Sequence, residues 1–232
     1  MDWSAPVDLY CERTDAAFWA EPANALSNAA FVIAAAAAAW WWRRAGGRDV
    51  AALALIAVVF VIAIGSFGFH TVATRGALLG DVIPIAVFVH GYLFLALRRF
   101  LGLSLVVSAT VLAGFAAAAQ ALPLVVPPRA LNGSIDYVPA LVALIAMARA
   151  VRRRGTRPAR RRAGLDLAVM LFTVSLALRS VDLAVCDAFP LGTHFLWHVL
   201  NAAVLYVLVR TAIAGQRQPD APPHAASPKI AE

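Results

Sequence analysis

Residues 50–70 read VAALALIAVVFVIAIGSFGFH, a run without Asp, Glu, Lys or Arg that closes on a histidine. As a helix it would rise ~1.5 Å per residue, enough to cross a hydrocarbon core ~30 Å thick. In lipid every backbone N–H and C=O must find its partner inside the protein, and a run of this length meets that demand as a helix. Outward from it, similar apolar runs cover about 24–42, 78–97, 101–122, 135–151, 165–185 and 193–214. The first ends in Trp40, Trp41, Trp42, Arg43 and Arg44, an aromatic belt followed by a basic anchor. The fourth is expected to stop at Pro123, with Pro127 and Pro128 just beyond.

Composition agrees. Hydrophobic residues make up 62% of the 232-residue chain, charged residues 14%, and the mean hydropathy is +0.76. A soluble domain is nearer half apolar and a quarter charged. The expected fold is all-α: a polytopic membrane protein with seven transmembrane helices. It divides into an N-terminal segment (1–23), a helical domain (24–214) and a disordered tail (215–232). Asp2, Asp8, Glu12, Asp15 and Glu21 precede the first run, the reverse of a signal peptide's basic opening, so no cleaved segment is expected. No internal repeat is visible.

A net charge of +7 raises nucleic acid as a partner, but the basic residues lie in short loops between apolar spans. Sixteen of the twenty fall in the 1–2, 3–4 and 5–6 loops and the tail; only Arg13, Arg75, Arg129 and Arg179 fall on the opposite side. The positive-inside rule then puts the N-terminus outside and the C-terminus inside. Arg outnumbers Lys nineteen to one and Ala is abundant, a compositional hint of a GC-rich bacterial gene and of a bacterial plasma membrane.

Under this topology the unusual polar residues gather at the outer end. His194 and His198 lie four apart on the seventh span and share a helix face. Ser66 and His70 end the second span, and Asp81 opens the third across a short turn. Three histidines at one depth can form a His₃ site with an open fourth position, the pattern of catalytic zinc. A carboxylate beside it can act as general base and then general acid, and the Ser66 hydroxyl can hold water or an oxyanion. A lone histidine near a helix end is more often a satisfied hydrogen-bonder. His90 and His224 are read that way, and Arg179 with Asp182 as a structural pair.

These residues carry a family resemblance. Gly65-Ser66-Phe67-Gly68-Phe69-His70 with Asp81, then His194-Phe195-Leu196-Trp197-His198, resembles the alkaline ceramidases, seven-helix membrane amidases related to the adiponectin and progestin receptors. The opening Asp8-Leu9-Tyr10-Cys11-Glu12, followed by Glu21-Pro22-Ala23-Asn24-Ala25-Leu26-Ser27-Asn28, is similar to that family's entry into helix 1. The resemblance implies a zinc hydrolase that cleaves ceramide or a related N-acyl lipid to a fatty acid and an amine-bearing lipid. It assigns zinc to His70, His194 and His198, the acid/base to Asp81, and the active-site serine to Ser66. It also implies a calcium ion on the N-terminal segment, for which Glu12 and Glu21 match carboxylate positions and Asp8 is a further ligand. The match there is looser: Thr14 stands where the family has Asn, and the Trp after the Asp is missing. Either Asp8 and Asp15 compensate, or the site is gone and these acids keep an outer segment soluble.

Cys11 and Cys186 are the only cysteines, both on the expected outer side, where disulfides persist. They are expected to pair, tying the N-terminal segment to the 6–7 loop beside His194; the alternative is two free buried thiols. Two other functions stay open on the sequence. One is a receptor of the adiponectin and progestin type, whose N-terminus is cytoplasmic. The other is a transporter that uses intramembrane polar residues as an ion path and holds no zinc.

Overall fold

The computed structural model describes residues 2–127, 129–154 and 159–214; the expected disordered tail and His224 lie outside these. Seven helices among the described residues are long and apolar enough to cross a membrane: α1 Pro22–Arg44, α2 Val50–Val72, α3 Arg75–Leu101, α4 Leu105–Val125, α5 Ser134–Arg153, α6 Ala159–Ala184 and α7 His194–Ala214. There is no strand among these residues, only an isolated bridge between Pro6 and Thr74.

The helix starts follow local capping chemistry. Asp49, Thr74 and Ser104 each accept a backbone N–H from the first turn of α2, α3 and α4. Those N–H groups have no partner within the helix. α3 runs past the expected end at residue 97 to Leu101 and stops on Gly102, whose φ of +62° is the left-handed C-cap conformation. α4 starts at Leu105 rather than 101 and does not stop at Pro123. Pro123 gives up one backbone hydrogen bond and crowds the carbonyl four residues back, but the helix carries on for two more residues. The break falls instead at Val126, which is extended as the residue before Pro127 prefers.

In lipid the apolar effect does not press helices together, so close packing of small residues does much of that work. At Gly65 on α2, an added Cβ would lie 2.0 Å from the Gly80 carbonyl oxygen on α3. This backbone approach sits one residue before both Ser66 and Asp81. α7 packs against α1, α2 and α6, while α4 lies at the periphery with only Ser108 buried. At one end of the bundle, Arg99 of α3 forks onto Asp49 with two contacts of 2.6 Å.

The other end is covered by the N-terminal segment. Its backbone is strapped along the α2–α3 turn through Val7 N–H to the Ala73 carbonyl (2.8 Å), Arg75 N–H to Ala5 (3.0 Å) and Gly76 N–H to Trp3 (2.9 Å). The expected Cys11–Cys186 disulfide is present and joins this segment to the α6–α7 connection.

Candidate metal centre

His70 arrives on the last full turn of α2, His194 and His198 on the first two turns of α7. All three are buried. Each offers one ring nitrogen, and these three atoms lie within 4.8 Å of one another. Nε2 of His70 and Nδ1 of His194 have no hydrogen-bond partner. Orphaned imidazole nitrogens in a dry site are costly, and a metal ion satisfies them. The donor set, three imidazole nitrogens, fits zinc.

Residues at the start of α1, its N-cap Glu21 and Ser27, orient two of these rings. The Nδ1–H of His70 donates to Glu21 Oε2 at 2.6 Å, which leaves Nε2 as its free lone pair. Nδ1 of His198 lies 2.7 Å from Ser27 Oγ. The Ser27 proton is directed to the Asn24 carbonyl (2.8 Å), so the hydroxyl accepts from His198. Hydrogen bonds of this kind fix the tautomer and aim of metal-binding histidines. Burial alone would raise the Glu21 carboxyl, but hydrogen bonds from His70, Asn24 and Arg13 hold it below the usual carboxylate range.

The structure also brings Ser66 and Asp81 to this cluster. Both are buried and line the same slot as His194 and His198. Oδ1 of Asp81 has no hydrogen-bond partner.

A family model described as Ceramidase matches residues 4–223. The chain belongs to the ceramidase family. A search of curated proteins found no individual match.

In this ceramidase-family chain two members of the histidine cluster, His194 and His198, line an apolar slot. Ser66 and Asp81 line it too, with apolar residues that include Phe88, Leu144, Met147 and Leu208. Along α7 the slot runs from His194 to Leu208, a rise of roughly 21 Å at ~1.5 Å per residue. Two polar groups inside it, Asn201 Nδ2 and Tyr92 OH, have no partner.

Tyr10 is a site residue that sequence reasoning missed. Its ring stacks on His194 with centroids 3.6 Å apart, and its hydroxyl lies 3.5 Å from Arg179. Burial pushes its phenol well up, so it remains a hydrogen-bond donor. Only its place in the opening motif, one residue before Cys11, could have marked it.

Arg179 and Asp182 are structural but do not pair with each other. Arg179 donates to the Asn132 carbonyl (2.8 Å) and to Ser134 Oγ (3.0 Å) and lies near the ring faces of Tyr137 and Trp197. Asp182 caps α7 instead: its Oδ1 accepts from Thr193 N–H (2.6 Å) and His194 N–H (2.9 Å), and Oδ2 from Cys11 N–H (3.1 Å). It thereby anchors the turn on which His194 stands. His90 bonds back to the Ala86 carbonyl at 2.8 Å, as a satisfied helix histidine does.

The acids expected at a calcium ion are engaged elsewhere. Both Glu12 oxygens accept from α1 N–H groups, Ala23 at 2.6 Å and Asn24 at 2.8 Å. Glu21 holds Arg13 and His70. Asp8 and Asp15 are exposed, and Asp15 Oδ1 accepts from Ala17 N–H. Calcium needs six to eight oxygens converging on one point. Among the described residues no carboxylates converge so, and the only assembled group is the three histidines. These residues do not fit a calcium ion.

Proposed function

We propose that this protein is a zinc-dependent intramembrane amidase that hydrolyses ceramide or a related N-acyl lipid to a free fatty acid and an amine-bearing lipid. The observation that supports it is the convergence of three buried histidine nitrogens beside an Asp81 oxygen without a partner. Zinc held by His70, His194 and His198 would supply Lewis-acid polarisation of the amide carbonyl and the attacking water.

The chain's own groups do the rest. Asp81 takes a proton as water adds to the carbonyl carbon. It returns that proton to the nitrogen as the C–N bond breaks, so that one water is consumed and an amine and a carboxylic acid leave. Ser66 donates its hydroxyl proton to the developing oxyanion. The slot takes the acyl chain, and its dryness strengthens these hydrogen bonds. The site faces the outer side of a bacterial plasma membrane, a placement supported by the basic residues between alternate helices.

Family membership favours this hydrolase over a receptor. Against a transporter, the test is metal content of purified protein together with fatty-acid release from N-acyl lipids. Asp81→Asn is expected to keep stoichiometric zinc and lose hydrolysis by at least about 10²-fold; His198→Ala should lose both. Wild-type turnover in Asp81→Asn would remove the acid/base role, and protein without zinc would remove the mechanism.

A further inference from the structure

The N-terminal segment carries one buried positive charge that the proposed chemistry does not use. Arg13 is 8% exposed. Its Nε donates to Glu21 Oε1 at 2.5 Å, its Nη1 to the Asp15 carbonyl at 3.1 Å and its Nη2 to the His70 carbonyl at 3.2 Å. A guanidinium taken out of water is stable only when its donors are met, and here three oxygens from three parts of the chain meet them. One carboxylate and two backbone carbonyls are also the ligand types of a hard cation. The guanidinium already holds them, and its charge repels a divalent ion from the same oxygens.

The same contacts reach the metal ligands. Glu21 is held from both sides. Arg13 takes Oε1, while Oε2 accepts from His70 Nδ1 at 2.6 Å and from Asn24 Nδ2 at 3.0 Å. Arg13 also grips the backbone carbonyl of His70 itself. A neutral residue at position 13 would leave Glu21 buried with an unbalanced charge and free to turn away from the imidazole.

We propose that Arg13 is the resident cation of this segment: it takes the place of calcium and positions Glu21, and through Glu21 the His70 ring. The second half rests on His70 being a zinc ligand; the first half stands on the hydrogen bonds alone.

The test uses full-length, zinc-loaded protein in detergent, with CaCl₂ as the probe. Equilibrium dialysis against radioactive calcium should show no stoichiometric uptake by the wild type. One calcium per chain would overturn the substitution. Arg13→Gln should lower zinc affinity by about 10–100-fold in chelator competition, measured well below its melting temperature, and Arg13→Lys should recover much of that loss. A merely structural arginine would lower the melting temperature and leave zinc affinity alone; that result, in a folded Arg13→Gln, overturns the positioning role. If the wild type binds no zinc, the amidase proposal fails by itself, and calcium uptake still decides whether Arg13 fills the cation's place.

Discussion

At the scale of single residues, the three-histidine cluster depends on the side chains that hydrogen-bond its rings. Ser27 Oγ is the hydrogen-bond partner of His198 Nδ1, at 2.7 Å. Ser27→Ala removes that acceptor and leaves a buried N–H unmet and the ring free to rotate. Metal affinity or turnover should fall by about 10–100-fold with the fold intact. Chelator competition measures it, and wild-type affinity in Ser27→Ala would take Ser27 out of this role. The histidines themselves were conspicuous in the sequence, because imidazoles in an apolar helix demand a partner. Their supporting residues were not. Glu21 is expected on a calcium ion because it and Glu12 match carboxylate positions of the family's opening, although the spacing between them is shorter. Spacing does not reveal that it meets His70, 49 positions away. Tyr10 stacking on His194 was equally invisible, since the contact is made by a segment with no periodicity of its own.

At the scale of elements, the seven spans were legible because hydropathy over about 20 residues is a strong signal in lipid. Their ends were less so. Pro123 was taken as a stop, but the helix runs on to Val125. What hydropathy hid entirely is the close approach of helices beside Ser66 and Asp81. Gly65 and Gly80 let α2 and α3 touch backbone to backbone, and Ser66 and Asp81 come next on each helix. Gly65→Ala would put a Cβ 2.0 Å from the Gly80 oxygen, which no rotamer can relieve. The helices must separate. Destabilisation of about 1–3 kcal/mol is expected, and misplacement of the pair by ~1 Å should cost up to about 10²-fold in turnover. Gly68→Ala on the same helix is the control, because its Cβ meets nothing within 4 Å. Thermal melting in detergent and fatty-acid release separate the two effects. Equal activity in both variants would show that the close approach does not set the site.

At the scale of the whole molecule, two independent physical arguments bear on which way the chain crosses the membrane. The first is electrostatic: sixteen of twenty basic residues fall in the tail, the 1–2, 3–4 and 5–6 connections or the helix turns that flank them, at the end opposite the N-terminal segment. The second is redox chemistry. Cys11 and Cys186 are bonded at the end of the bundle that carries the metal-ligand cluster. Such a bond persists only in an oxidising compartment. The charge rule acts during insertion and the disulfide forms afterwards, so neither argument borrows from the other, and both support the proposed placement of the N-terminus and the histidine cluster outside. A reporter joined after Ala214 decides it. A fluorescent protein there should fold and glow, and an alkaline phosphatase there should stay inactive, because it needs export to form its own disulfides. An active phosphatase at that position would place Cys11 and Cys186 in the reducing compartment. The basic loops would then face outward, and the orientation would be reversed.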